Sequence, residues 1–315
     1  MAAIVLALAA ALCNAMATIL QRMGVESAPP DSELKLKLIR YVLGRPIWFA
    51  GFAAMVAAFL FQAGALGDGP LTIVQPLLVT ELGFLVLILR VWFGWTLGWR
   101  EAVGTVSLVA GLGTFLAVSN QGGGNSLPTK TEWILVVAAC VGGIFLSLLM
   151  TRFGSRPWRS AWFGAAAAIS FSLSAAFIKS TTVILQHGFV HLLLHFEPYG
   201  IAAAGLAGLF FVQNAFHAGP ITASQASIVI LDPIASIVIG VTLFGDNLRG
   251  GVGILSVDAL ALMVMSFGVF VLCHSPLIVH STAEDRLVRR AGAPGSQPGR
   301  AAEEGPSPGA AGAPN

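Results

Sequence analysis

The sequence predicts an all-α fold, a polytopic membrane bundle of nine transmembrane helices. Three observations predict it. Apolar residues make up 56% of the 315 and charged residues only 10%, with a mean hydropathy of +0.82, whereas soluble domains are roughly one-quarter charged. The apolar residues fall into runs of the length that an α-helix needs to cross a hydrocarbon core about 30 Å thick. Runs such as IAAAGLAGLFFV at 201–212 are apolar on every face, while barrel strands are shorter and alternate apolar with polar.

In chain order the spans are predicted at 2–20, 46–66, 71–90, 101–119, 132–150, 161–179, 198–217, 220–243 and 251–273. The first has no Lys or Arg before it and no small-x-small cleavage site before Gln21, so it reads as a span rather than a secretory signal. Leucine at position 12 likewise argues against a lipoprotein signal at Cys13. Residues 23–45 include SELKLKLIRYVLG, whose basic and apolar residues suit a short helix on an anionic leaflet or a solvated loop. The stretch 183–195, VILQHGFVHLLLH, is several residues too short to cross and carries three histidines, so it reads as an interfacial or re-entrant extension. Residues 291–315 hold 7 Ala, 6 Gly and 5 Pro and no aliphatic or aromatic residue larger than alanine, a composition expected to stay disordered.

Charge placement orients the bundle. Fourteen of the 17 Lys and Arg residues lie in the loops after the first, third and fifth spans or in the C-terminal tail; only Lys130, Lys179 and Arg249 lie on the other side. The positive-inside bias therefore places the N-terminus outside and the C-terminus in the cytoplasm of a plasma-membrane protein. The net charge of +2 points to no nucleic-acid partner. Cys13, Cys140 and Cys273 stand singly in apolar runs, as buried small hydrophobes do.

The chain also repeats itself. At an offset of 150 residues, FLFQAGALGDGPLTIVQPLLV from Phe59 matches FFVQNAFHAGPITASQASIVI at Phe61/Phe211, Ala65/Ala215, Gly69/Gly219, Pro70/Pro220, Thr72/Thr222, Gln75/Gln225 and Val79/Val229. The shared G-P-[LI]-T-x-x-Q predicts a tight turn between two crossings, with proline beginning the next helix and threonine helping to satisfy its free N–H groups. The first span resembles the sixth more weakly, ALCNAMATILQR against SFSLSAAFIKST. A copy displaced by five spans enters from the opposite face. The predicted plan is thus a first repeat at 1–120, a connector helix with loops at 121–160, an inverted second repeat at 161–275 and a tail at 276–315. Inverted repeats suit transporters whose halves rock about a central site.

Glu81 and Asp232 fall near the middle of the third and eighth spans, about eleven residues past their turns, or roughly 16 Å deep. A carboxylate in lipid is costly, so each is expected to face the interior and meet a cation, a proton or a hydrogen-bond donor. A purely structural role, bonded to a neighbouring Ser, Thr or Asn, is the competing reading. Pro233, directly after Asp232, is expected to bend or break the eighth span at the acid. Asp258, Asn14, Asn214, Gln75 and Gln225 complete the candidate pathway, and Glu81 with Asp232 are the candidate metal ligands. A hard cation such as Mg²⁺ takes oxygen ligands and keeps several waters. Lys179 ends the sixth span and is read as snorkelling to the surface, with an anion-binding role as the alternative. His187, His191 and His195 recur every fourth residue beside Glu197, as either a metal-binding or an interfacial polar face. The chain contains no H-E-x-x-H, CxxC, G-x-S-x-G or phosphate-loop motif, so no enzyme and no cofactor is predicted.

Two segments carry a family likeness. AGALGDGPLTIVQPL, with its Pro-x-x-x-Val-x-Pro run, and ILDPIASIVIGVTLFGDNL, with Asp232-Pro233 and Asp246 where an E-P and a later L-G-E would stand, resemble the drug/metabolite transporter superfamily. The likeness is strongest to its nine-helix NIPA-like magnesium-transporter branch and covers roughly residues 2–273. It implies alternating access and transport of Mg²⁺ or another small cation. Wider relatives move amino acids, nucleotide sugars or drugs, which makes a proton-coupled exporter of a small metabolite the alternative and a non-transport scaffold the bland one. The expected partners are the lipid bilayer and the small cation or metabolite. Small-residue helix faces serve packing within one chain or between two, which leaves a homodimer open.

Overall fold

The computed structural model describes residues 1–26, 46–94, 98–118, 128–186, 188, 192–246 and 252–275. Among them the regular structure is all helical, and nine helices are long and apolar enough to cross a membrane. The first span is Ala2–Glu26 and the second Pro46–Asp68. The third is split into Leu71–Leu78 and Glu81–Phe93. Trp99–Val118, Lys130–Met150, Arg156–Leu185, Glu197–Ala218, Ile221–Phe244 and Val252–Cys273 follow as the fourth to ninth.

Composition explains the arrangement. The sixth span, rich in Ala and Ser, is the most enclosed, 72% buried against 56% for the next. Small side chains let neighbouring backbones approach where lipid provides no hydrophobic drive between helices. The second, fifth, seventh, eighth and third spans all pack against it. The first span lies along the second and third, and the first half of the third crosses the eighth. The fourth pairs with the ninth through backbone contact. A Cβ on Gly111 would come within 2.5 Å of the Met265 nitrogen, and one on Gly268 within 2.5 Å of the Leu108 nitrogen.

The Gly-Pro turns are present, for a somewhat different reason than predicted. Pro70 and Pro220 are the residues immediately before the helices at Leu71 and Ile221, both extended. Neither helix start is capped by a side chain from its own turn, so Thr72 and Thr222 do not cap. Glycine is needed because another span presses on the turn: a Cβ on Gly69 would lie 2.6 Å from that of Ala3, and one on Gly219 would lie 2.2 Å from the Arg156 carbonyl oxygen.

Several boundaries shift. The sixth span runs on to Leu185 and takes up the start of the 183–195 stretch, because Val183, Ile184 and Leu185 continue an uninterrupted apolar helix. Among the described residues that stretch makes no further crossing. Most of the predicted interfacial segment at 23–45 and the predicted tail at 276–315 lie outside the described residues.

Candidate functional site

Pro76 lacks the N–H that an unbroken helix would use, and the turns after it tighten. Val79 N–H donates to the Pro76 carbonyl at 3.2 Å, Thr80 N–H to Leu77 at 3.1 Å and Leu82 N–H to Val79 at 3.2 Å, which are three-residue rather than four-residue closures. The Thr80 hydroxyl also donates to the Leu77 carbonyl at 2.6 Å. The helix is thereby interrupted at Val79 and Thr80, and Glu81 opens its second half. An acid in the first turn of a helix is favoured by the free N–H groups there. Asn14 of the first span donates its amide to Glu81 Oε2 at 2.9 Å.

The predicted break at Asp232-Pro233 does not occur. The eighth span continues through Pro233 from Ile221 to Phe244, and Pro233 is buried. The break lies in the third span instead. Asp232 is met from the sixth span by Ser172, whose hydroxyl is 2.7 Å from Oδ1 and 2.9 Å from the Asp232 carbonyl oxygen. Glu81 and Asp232 are both half-buried and lie within electrostatic reach of one another. Among the described residues neither carboxylate has a cationic partner.

The remaining candidates divide. Gln75 is buried in the first half of the third span, where its amide nitrogen has no hydrogen-bond partner among the described residues. Gln225, its counterpart, is exposed. Asn214 does not join the acids; its amide donates to the Phe210 carbonyl one turn back in its own helix at 2.8 Å. Asp258 is buried on the ninth span, whose principal neighbour is the fourth. Among the described residues no group of three or more His, Cys, Asp or Glu side chains is placed to hold a metal ion. His187 and His191 lie outside the described residues; His195 Nδ1 is 3.5 Å from Glu197 Oε2.

Lys179 does not snorkel. Its ammonium is buried 3.0 Å from Asp246 Oδ1 and 4.4 Å from the centre of the Phe244 ring. Asp246 Oδ2 accepts the Thr72 N–H at 3.2 Å, so the loop after the eighth span caps the start of the third. Gly245, left-handed at φ 64°, turns the chain there. The lysine reaches inward because its partner sits at the same depth and a buried charge without one is costly.

The chain is similar to an uncharacterised protein of Corynebacterium glutamicum. The two are 28% identical over 251 residues, which span 78% of this chain and 86% of the relative. No family model matches the chain. No solved structure matches it either.

Ser172 and the Lys179–Asp246 pair were not among the predicted site residues. One signal for Ser172 was present. When ALCNAMATILQR is laid on SFSLSAAFIKST, Asn14 falls on Leu173, next to that serine.

Proposed function

We propose that the chain is a secondary transporter that moves a small cation by alternating access, with Glu81 and Asp232 as its shared site. The observation that carries this reading is two half-buried carboxylates from different spans, within electrostatic reach, each hydrogen-bonded among the described residues only to neutral donors. Like charges so placed favour a bound cation or proton between them. Mg²⁺ is the first candidate, because it keeps much of its water and binds through one or two carboxylates. The same acids would carry protons in an exporter of a small metabolite, which is the second reading. We assign no catalytic role.

Inverted repeats are the architecture that best supports this mechanism, and several features lie close to the sequence offset. The Gly51 carbonyl accepts from Gln21 of the first span and the Ile201 carbonyl from Ser174 of the sixth; the two carbonyls are 150 residues apart and the two donors 153. The acids are 151 residues apart, as are Gly94 and Gly245, which end their helices in the left-handed conformation. On this plan the Lys179–Asp246–Thr72 cluster closes the pathway on the face that holds the N-terminus. Opening that face separates the sixth, eighth and third spans there.

Flux into proteoliposomes tests the reading. Wild-type protein is expected to move Mg²⁺, another divalent ion or protons, and E81Q and D232N to lose at least about nine-tenths of that flux, a loss of roughly 1.4 kcal/mol of differential binding or more. Undiminished flux in both variants removes the acids from the mechanism. Metabolite movement that requires a proton gradient, without cation flux, selects the second reading.

A further inference from the structure

At the opposite face, where the fourth span begins and the ninth ends, a groove of about 320 Å³ opens on the outside of the bundle. Trp99, Arg100 and Val103 form one wall, and Phe267, Phe270 and His274 form the other. We propose that this groove is a binding site for a phospholipid with an anionic headgroup.

The chemistry is graded along the groove as a lipid is graded along its length. Phe267 and Phe270 lie toward the bilayer interior and are 56% and 50% exposed, so their rings are offered to an acyl chain. Trp99 and Arg100 stand at the first turn of their span, at headgroup level, and Trp99 is 81% exposed. An indole at that depth anchors in the interface. The Arg100 guanidinium presents a planar fork of donors that suits a phosphate.

Two details keep the rim positive. The adjacent residue, Glu101, does not neutralise Arg100. Its carboxylate is buried and accepts the hydroxyl of Ser275. Arg100 itself has no ion pair or side-chain hydrogen bond among the described residues. His274 is held in place as a wall. Its ring lies 4.2 Å from that of Phe270, and its Nδ1 is 2.9 Å from the Phe270 carbonyl oxygen, which can only accept, so that nitrogen carries the hydrogen.

The groove is also built on a stiff base. The fourth and ninth spans touch backbone to backbone at Gly104, where an added Cβ would lie 3.1 Å from the Gly268 carbonyl. The two walls therefore keep their spacing without the ligand, and a lipid enters without prising the helices apart. Basic pockets between transmembrane helices on the positively charged face are where anionic lipids are held.

Native mass spectrometry of the purified chain, with phosphatidylglycerol or phosphatidylcholine added, tests the site. Wild type is expected to retain phosphatidylglycerol about fivefold better, the preference that one well-placed cation supplies. R100Q should lose that preference, and R152Q, which removes an exposed arginine elsewhere on the chain, should keep it. V103W, which fills the groove and leaves every charge in place, should reduce retention of both lipids. Equal retention of the two lipids by wild type, or an unchanged preference in R100Q, overturns the proposal. Displacement of the lipid by millimolar inorganic phosphate also overturns it, because the site would then hold a soluble anion rather than a lipid.

Discussion

Lys179 Nζ lies 3.0 Å from Asp246 Oδ1, and the two side chains are 5% and 0% exposed. Lys179 lies seven residues beyond Ser172 on the sixth span, and Asp246 lies fourteen beyond Asp232. Seven residues are close to two helical turns, which puts Ser172 and Lys179 on one face of the sixth span, while Asp246 lies in the turn just past the end of the eighth at Phe244. The sixth span is therefore tied twice to the eighth and the turn that follows it, by a serine–carboxylate contact at depth and by an ion pair near the end. The Asp246–Thr72 bond adds the third span to that end.

Removing one charge from this pair should be more damaging than removing both. K179M leaves a buried carboxylate without its cation, at an expected cost of about 3–5 kcal/mol. K179M/D246N removes both charges and keeps an amide oxygen for the Thr72 N–H, so it should regain most of that stability. Thermal unfolding in detergent reads the difference; a single variant as stable as wild type contradicts it.

The fourth and ninth spans give a paired test of packing. Gly268→Val should destabilise the bundle by about 1–3 kcal/mol, because its side chain would meet the Leu108 nitrogen and the Gly104 carbonyl. Gly113→Ala, on the same pair of helices but with nothing within 4 Å of its Cβ, should have no such effect. Denaturation midpoints of the two variants that coincide would show that the contact at Gly268 is not close.

The donors that hold the acids are predicted to act alike. N14A and S172A should each lower cation flux about tenfold, in line with the loss of one hydrogen bond to a charged group. N214A should leave flux unchanged, because its amide serves its own helix. An N214A variant as impaired as N14A would show that the pathway runs elsewhere.

If the nine crossings found among the described residues are all that the chain makes, its ends lie on opposite faces, and the arginine-bearing tail is expected in the cytoplasm. Accessibility of terminal tags in intact cells and inverted vesicles checks both points. Two tags on one face would mean that a span has been gained or lost.

The nine crossings among the described residues were legible from residue order alone, since hydropathy is a local property that sums along a helix regardless of what packs beside it. The Gly-Pro turns were legible for the same reason, as short-range punctuation. Partners were not. Asn14 and Glu81 are 67 residues apart, and so are Lys179 and Asp246; pairing at that distance depends on helix rotation and relative depth, which no local pattern encodes. Lys179 read as a surface lysine because a long flexible stem reaches either way, and the position of Asp246 settles the direction. The third span is interrupted just after Pro76 while the eighth runs on past Pro233, although both prolines are buried. The ring removes one hydrogen bond in each case, and the packing around it determines whether the helix holds.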